Sequence, residues 1–224
     1  MERVAGQLPR EKKQRRRVVW GSGFMFDGEV VSATHMHVTA VRGPLSAARL
    51  PRMHQRTIGA LGDPALLVSR LFAEPLCFGT IPKASPLLIP HFMDLSSPYW
   101  WHMKTQWPEI EITDTLGDPF SLMHRIATSS LVISTGLHPL IVADAYGIPS
   151  IWIQVASNVK GGSFKFTDHS LSVGSTRRPV PVDSVIRAGR NAFDLATPPP
   201  DANVISAIQA DLLVAYGSAL ENLT

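Results

Sequence analysis

The strongest constraint on the fold is a repeated order of short apolar strand, turn and helix. Residues 37–41 form a predicted strand followed by a helix over 44–50, and residues 57–61 form another followed by a helix over 64–71. Each helix starts with proline, which is favoured at the first helical position because its missing N–H needs no partner there. Strands that alternate with helices in this way predict an α/β fold with a parallel sheet.

The same order restarts after residues 72–85, which contain two prolines and few periodic apolar positions and are predicted to form a linker. Two such runs predict two Rossmann-like lobes that face each other across a cleft. The elements of the second run are strands at 86–90, 110–112, 131–134 and 150–153 and helices at 119–127 and 139–146. The predicted units are a basic arm (1–17), a partial N-terminal lobe (18–82), a C-terminal lobe (83–200) and a helix (201–224) that packs back on the body.

Charge is distributed very unevenly along the 224 residues, whose formal net charge is +3. Residues 1–17 contain seven Lys or Arg against two Glu, so the rest of the chain has a slight acidic excess. A nucleic-acid-binding fold would spread basic residues over a surface, and no nucleic-acid partner is therefore expected. The single cysteine, Cys77, excludes an intrachain disulfide framework and a thiolate zinc site.

Targeting signals in the sequence are weak. The apolar residues that follow the basic arm end at Asp27 and Glu29, too soon for a signal peptide. The uncharged stretch 126–143 contains His138 and Pro139 and is a poor membrane span. We expect a cytoplasmic protein whose basic arm can contact anionic lipid at the inner membrane face.

The segment 131–149 is the strongest candidate site. A predicted strand ends at Ser134, Thr135 and Gly136, and a helix opens near Leu137 and His138. Free N–H groups and the positive end of the helix dipole make such a loop a phosphate site. His138 could bind the anion or transfer a proton, and the alternative is a histidine that only caps the helix.

Two further positions carry charged or titratable groups at predicted strand ends. His91 follows the strand that begins the second lobe, and Arg42 follows a strand of the first. Arg42 is suited to clamp a carboxylate or phosphate, and the alternative is an inter-lobe salt bridge. Lys160 and Lys165 flank a glycine pair that could cradle an anion. His35 and His37 lack a third ligand at suitable spacing, so no metal site is predicted.

Taken together, these segments resemble the polysaccharide pyruvyl transferase family, most closely its exopolysaccharide members that act on succinoglycan-type polymers. Singly each segment is weak, but they occur in order over about residues 18–175. The matching segments are 19–24 (Val-Trp-Gly-Ser-Gly-Phe), 41–46 (Val-Arg-Gly-Pro-Leu-Ser), 61–67 (Leu-Gly-Asp-Pro-Ala-Leu-Leu), Pro90-His91, Leu137-His138, 143–152 (Ala-Asp-Ala-Tyr-Gly-Ile-Pro-Ser-Ile-Trp) and 164–168 (Phe-Lys-Phe-Thr-Asp).

The resemblance implies a two-lobed fold like that of GT-B glycosyltransferases, with phosphoenolpyruvate as donor substrate and no cofactor. It implies a lipid-linked or free oligosaccharide acceptor with a pair of hydroxyls, on which a pyruvate ketal forms. His138 would contact phosphate and transfer a proton, His91 would be a second acid/base or phosphate ligand, and Arg42 would clamp an anion. Ser134, Thr135, Gly136 and Leu137 would form the loop that binds the donor.

The sequence departs from the family pattern in two places, which change what we expect of the donor site and of the N-terminal lobe. Many members carry Arg where this chain has Gly136, so Lys160 or Lys165 is expected to supply the cation. Members also have strand–helix units before the segment 19–24, where this chain has the basic arm, so an incomplete N-terminal lobe is expected. The alternatives are a sugar-nucleotide glycosyltransferase of the GT-B type and a truncated, non-catalytic binding protein.

Overall fold

The computed structural model describes residues 17–29, 36–72, 85–155 and 162–221. The predictions for the basic arm, His35, Cys77 and Lys160 fall outside these ranges, as does the predicted domain boundary at residues 82–83. The described chain is an α/β structure in which every paired strand within a sheet is parallel, as predicted.

The larger sheet has five parallel strands in the order β6-β5-β7-β8-β9. Its strands are β5 (Leu87–Ile89), β6 (Glu111–Ile112), β7 (Val132–Ser134), β8 (Ser150–Gln154) and β9 (Val180–Pro181). The helices between and around them are α4 (Tyr99–Gln106), α5 (Pro119–Thr128), α6 (Leu137–Ala145), α7 (Phe164–Ser172) and α8 (Val182–Ala188), with 3-10 helices at Phe92–Asp94 and Gly189–Leu195.

Two pairs of short parallel strands precede this sheet, β1 with β2 and β3 with β4. They lie end to end, because only Thr39 separates β2 from β3 and its N–H donates to the carbonyl of Val19 at 2.9 Å. The elements are β1 (Arg17–Val19), β2 (Met36–Val38), β3 (Ala40–Val41), α1 (Pro44–Arg49), α2 (Arg52–Gln55), β4 (Ala60–Leu61), a 3-10 helix (Pro64–Leu67) and α3 (Val68–Leu71).

Both faces of the five-stranded sheet are buried. Leu87 and Ile89 point to one apolar cluster with α6, while Leu88, between them, points to the opposite cluster with α4 and α8. This alternation follows from the two-residue repeat of a strand. Burial on both faces explains why the strands are continuous apolar runs, as is usual in parallel sheets.

The last helix, α9 (Ala202–Glu221), packs along one side against the earlier strands. Its Leu212 lies in one cluster with Ala40 and Ala60, and the Leu212 carbonyl accepts a 2.8 Å hydrogen bond from the indole of Trp20. By length and composition alone α9 could also cross a membrane, with a mean hydropathy of 1.2 and 28% of its window buried. Core helices of water-soluble proteins satisfy the same criterion, so this finding is weak evidence for a span.

The sequence did not predict every helix. The predicted helix at 64–71 begins as a 3-10 turn, in which Asp63 accepts a 3.0 Å hydrogen bond from the N–H of Ala65. Helices α2, α4, α7 and α8 were not predicted. The sequence of α4 shows no amphipathic repeat, because its exposed Trp101 is as apolar as its buried Trp100 and Met103.

Candidate functional site

The candidate site lies where the strand order of the larger sheet reverses. From β5 the chain passes to β6 on one side and then to β7 on the other, so the loops after β5 and β7 diverge. Ligands of open parallel sheets bind in the crevice that such divergence opens at the carboxyl ends of the strands. Ile89 pairs with Ser134 at the ends of these strands, and His91 and Gly136 each follow two residues later.

Helix α6 begins at this crevice, with Gly136 as its N-cap. Gly136 has no side chain to cap the first turn, so the N–H groups of Leu137 and His138 point outward as potential anion donors. His138 is the only exposed residue between Leu131 and Asp144. The predicted helix start near His138 is therefore confirmed, and its imidazole lies at the open end of the helix.

The loop before α6 is held by two buried hydroxyls. Ser134 Oγ donates to the carbonyl of Ile89 at 2.6 Å and accepts from the N–H of Gly136 at 2.9 Å. Thr135 Oγ1 accepts from the N–H of His91 at 2.7 Å. Both residues are 0% exposed. Their side chains thus position the two loops of the crevice, and their predicted contact with substrate stays a prediction.

A cavity of about 370 Å³ opens between these loops. His91, Gly136 and His138 all line it, so the structure brings together both predicted histidines. We call the part of the cavity lined by these three residues its polar end; apolar side chains, among them Leu122 and Met123 of α5, line the cavity as well.

The surroundings of His91 favour its neutral form. Partial burial and the charge of Lys165 lower its pKa from 6.5, while Asp94 acts in the opposite direction. Nδ1 of His91 accepts a 3.3 Å hydrogen bond from the N–H of Met93. With Nδ1 as acceptor, the proton of the neutral ring is on Nε2, which can donate to a ligand.

Lys165 comes from the first turn of α7 and is half-buried. Burial and the nearby charge of Arg42 lower the pKa of Lys165. Its Nζ lies 5.4 Å from the ring centre of Phe166. The charge of Lys165 also contributes to the lowered pKa of His91, but Lys165 does not line the cavity, and its predicted contact with the donor stays a prediction.

Arg42 does not stand free at a strand end. It is 7% exposed, its Nε donates to Asp168 at 3.2 Å, and its Nη2 donates to the carbonyl of Phe24 at 2.5 Å. The structure therefore supports the alternative interpretation, an ion pair with the later part of the chain. Nε and Nη2 of Arg42 thus already bind protein acceptors, and its predicted role as an anion clamp stays a prediction.

Sequence reasoning missed the partners of two buried carboxylates. Asp168 binds the start of α1, and Asp144 binds His169 and Arg177. Asp168 lies in a segment that had been singled out only for its resemblance to a family, and Asp144 lies in the candidate segment 131–149 but had been given no role there. Burial on an otherwise apolar helix was the available signal for Asp144, since α6 has no other charged residue.

These features define a class: an α/β protein with a histidine-lined, anion-receptive cavity at the switch point of a parallel sheet. Residues 8–157 match the polysaccharide pyruvyl transferase family, and the chain belongs to that family. It is 28% identical over 214 residues to the succinoglycan biosynthesis protein ExoV of Rhizobium meliloti (strain 1021). That match covers 91% of this chain and 65% of the relative. No solved structure gave a significant match.

Proposed function

We propose that this chain binds phosphoenolpyruvate in the cavity between β5 and β7 and transfers its pyruvate to a sugar as a ketal. The observation that carries the proposal is the convergence of His91 and His138 on one cavity at the start of α6. Membership of the polysaccharide pyruvyl transferase family supports the type of reaction, and the similarity to a succinoglycan biosynthesis protein supports a place in exopolysaccharide assembly.

We assign the phosphate of the donor to the polar end of the cavity. The Nε2–H of neutral His91 and the N–H groups of Leu137 and His138 are hydrogen-bond donors there. Lys165, whose charge contributes to the lowered pKa of His91, is proposed to supply a further positive charge to the donor. Hydrogen-bond donors that are already in place need no rearrangement during the reaction. They stabilise the leaving phosphate more strongly as negative charge develops on it.

His138 is the proposed acid and base, because it is exposed at the cavity, whereas Nδ1 of His91 already accepts a hydrogen bond from the N–H of Met93. Protonated His138 gives its proton to the methylene carbon of the donor, which becomes a methyl group. The adjacent carbon then accepts an electron pair from one sugar hydroxyl, and neutral His138 takes up the proton of that hydroxyl.

The second half of the reaction closes the ketal. The bond between the former enol carbon and the phosphate oxygen breaks, and inorganic phosphate leaves with one proton. A second sugar hydroxyl adds to the same carbon and supplies that proton. Phosphoenolpyruvate and a diol thus give a pyruvate ketal and hydrogen phosphate, without any oxidant, reductant or cofactor.

The acceptor is proposed to be a lipid-linked or free oligosaccharide that enters opposite the phosphate end. The proposed arrangement has two lobes, as in GT-B glycosyltransferases, with the donor on the five-stranded sheet. We propose that the protein acts on the cytoplasmic side of the membrane, where its basic residues 1–17 can contact anionic lipid.

Donor trials on the full chain test this function. Calorimetry is expected to show phosphoenolpyruvate binding, and inorganic phosphate should be released only with hexosides that present a pair of free hydroxyls. Release of nucleoside diphosphate from a sugar nucleotide would instead support a glycosyltransferase. Binding of phosphoenolpyruvate without turnover on any acceptor would support the non-catalytic binding protein.

A further inference from the structure

The cavity between β5 and β7 is larger than the proposed donor needs. Its volume is about 370 Å³. Pockets of about 300–1,000 Å³ hold ligands of drug size, so there is room beside the small phosphoenolpyruvate molecule. Among the described residues that line the cavity outside its polar end, Thr115 alone has a polar side chain. The remaining space therefore suits a second molecule that is apolar on at least one face.

Phe92 lines this cavity and is nevertheless 56% exposed. The centre of its ring lies 4.4 Å from the ring centre of His91, at a tilt of 36°. One face of the phenyl ring thus packs against His91, which leaves the other face accessible. Phe92 therefore presents an aromatic surface at the opening of the cavity, directly beside the polar end.

Hydrogen bonds hold the backbone on both sides of Phe92. The N–H of His91 donates to Thr135 Oγ1 at 2.7 Å, and the N–H of Asp94 donates to the carbonyl of His91 at 2.7 Å. The carbonyl of Asp94 accepts a 2.5 Å hydrogen bond from the indole of Trp100. A surface that is held in this way loses little conformational freedom when a ligand binds to it.

Thr115 reaches the same cavity from the loop after β6. That loop is held by Asp114, whose Oδ1 accepts from the N–H of Leu116 at 2.8 Å. Thr115 is exposed, and its hydroxyl can both donate and accept a hydrogen bond. The loops after β6, β5 and β7 therefore bring Thr115, Phe92 and His138, respectively, to one cavity.

A hexopyranose ring matches this combination of groups. Its C–H groups form an apolar face, and their partial positive charge is attracted to the electron-rich face of an aromatic ring. The hydroxyls at the edge of the sugar can meanwhile bind Thr115 and face the polar end, where the proposed reaction needs two of them. A lipid chain or an apolar protein segment would fill the apolar space but would leave the hydroxyl of Thr115 without a ligand.

We propose that Phe92 and Thr115 form an acceptor subsite. The ring of Phe92 stacks on the C–H face of the hexose that receives the pyruvyl group, and Thr115 binds one of its hydroxyls. The nature of the ligand rests on the proposed function, whereas the position of the subsite rests on the lining residues, the ring contact and the exposure of Phe92. Phe92 thus makes the site specific for cyclic acceptors over open-chain diols.

The first experiment replaces Phe92 alone by 4-fluorophenylalanine in the full chain and follows its fluorine resonance by NMR. Methyl β-D-galactopyranoside and methyl β-D-glucopyranoside are titrated in, and at least one of them is expected to shift the resonance saturably. 1,3-Propanediol, which has a hydroxyl pair but no ring, should shift it far less. The control is 4-fluorophenylalanine at Phe193, which is 44% exposed and contacts Trp107 away from the cavity lining.

The absence of a saturable shift at position 92 with both hexosides would overturn the proposal, and so would an equal shift at position 193. A resonance that moves with protein concentration and not with hexoside would mean that a second copy of the chain covers Phe92. That result would also overturn the proposal.

Substitutions then measure what the aromatic ring contributes. Phe92→Ala is expected to raise the acceptor KM and to weaken hexoside binding in saturation-transfer NMR about tenfold, the effect of losing one favourable aromatic contact. Phe92→Tyr keeps a ring and should restore most of this loss. Thr115→Val removes only the hydroxyl and should cause a smaller loss. Trp101→Ala, which removes an exposed aromatic side chain of α4, should bind hexoside like the wild type.

Calorimetry with phosphoenolpyruvate separates this inference from the proposed function. Phe92→Ala should bind phosphoenolpyruvate as tightly as the wild type, and an equal loss for donor and hexoside would place Phe92 in the donor site and overturn the proposal. If the wild type binds no phosphoenolpyruvate, the proposed function fails, while the fluorine titration still decides whether Phe92 stacks on a sugar. If it binds phosphoenolpyruvate and neither hexoside moves the resonance, the donor site stands and the acceptor subsite fails.

Discussion

At the scale of single residues, His138 differs from its neighbours in exposure. The side chains on either side of it, Leu137 and Pro139, are buried, so the histidine is the exposed one of these three cavity-lining residues. A polar residue in such a place contributes little to stability. Its replacement should therefore affect chemistry and not folding.

We predict that His138→Ala lowers transfer by about 10²- to 10⁴-fold, the usual contribution of a general acid–base group. Phosphate release from phosphoenolpyruvate with acceptor present measures this loss, and circular dichroism with the melting temperature checks the fold. The matched control is His102→Ala, which removes an exposed histidine of α4. Equal turnover in His138→Ala and wild type would refute the assignment.

Gly136 leaves room for a cation beside His91. Its φ of −96° suits any residue, and a Cβ there would meet its nearest neighbours at 3.5 to 3.8 Å, which is ordinary contact. We predict that Gly136→Arg tightens phosphoenolpyruvate binding about tenfold, since a hydrogen bond to a charged group contributes about 1.5 kcal/mol. Calorimetry measures the change. Gly136→Ala should bind like the wild type, and weaker binding in Gly136→Arg would contradict the placement of the donor.

Residue roles were predictable from sequence only where they depend on local structure. The position of His138 follows from a strand that ends at Ser134 and a helix that begins at Leu137, three residues later, and the structure has both elements. The role of Arg42 could not be decided from the sequence, because its partner Asp168 is 126 positions away and no local pattern joins the two residues. An arginine at a strand end can bind an anionic ligand or a carboxylate side chain of the protein equally well.

At the scale of the element, α6 is held at its far end by a buried charge network. Asp144 in its last turn accepts from His169 Nε2 at 2.9 Å and from both terminal nitrogens of Arg177. An acidic residue at a helix C-terminus is unfavourable by itself, so Arg177 and His169 are needed to stabilise it there. The network therefore ties the helix that carries His138 to α7 and to β8, where Ser150 also accepts from Arg177.

This network predicts a pH dependence of stability. Burial would raise the pKa of Asp144, but His169 and Arg177 outweigh it and lower the pKa below the ordinary 3.8. A carboxyl with a lowered pKa in the folded state stabilises the protein above its unfolded pKa. This stabilisation is lost as the pH falls through the lowered value.

We expect Asp144→Asn to lower the free energy of unfolding at pH 7 by about 3 kcal/mol, because it leaves Arg177 buried without a charge partner. Urea denaturation at a series of pH values down to about pH 3 should show a shallower acid loss in Asp144→Asn than in the wild type. Asp183→Asn is the exposed control and should keep the wild-type profile. Parallel pH profiles for Asp144→Asn and wild type would show that another group governs the acid loss.

Element prediction succeeded where proline and capping residues mark helix starts. Pro44 and Pro119 both occupy the first turn of the helices that they predict, and Asp118 caps α5. Helix α7 carries no such mark: its N-cap, Ser163, makes no side-chain bond, and its buried face includes Asp168 and His169. A helix that buries charged residues against distant partners lacks the apolar stripe on which sequence reasoning depends.

At the scale of the whole molecule, α9 joins the early strands to the larger sheet. Ile205 belongs to the apolar cluster of α6, and Leu212 belongs to the cluster of β3 and β4. Between them, Gln209 donates to the carbonyl of Leu66 at 2.7 Å. Gly62 permits the close approach, since a Cβ there would lie 2.5 Å from Ile208. One helix therefore contributes to two apolar clusters, so a substitution that destabilises α9 should destabilise the packing of both.

A matched pair of truncations on α9 tests this arrangement. Leu212 is 0% exposed and Val214 is 74% exposed, so the two side chains differ mainly in burial. Leu212→Ala should lower the free energy of unfolding by about 2–5 kcal/mol, because it removes buried methyl groups and leaves a cavity. Val214→Ala should change it by about 0.5 kcal/mol or less. Chemical denaturation followed by the fluorescence of Trp20, whose indole binds the Leu212 carbonyl, would report the change near the helix itself. A larger loss in Val214→Ala than in Leu212→Ala would mean that the exposed side of α9 is the one that is covered in solution.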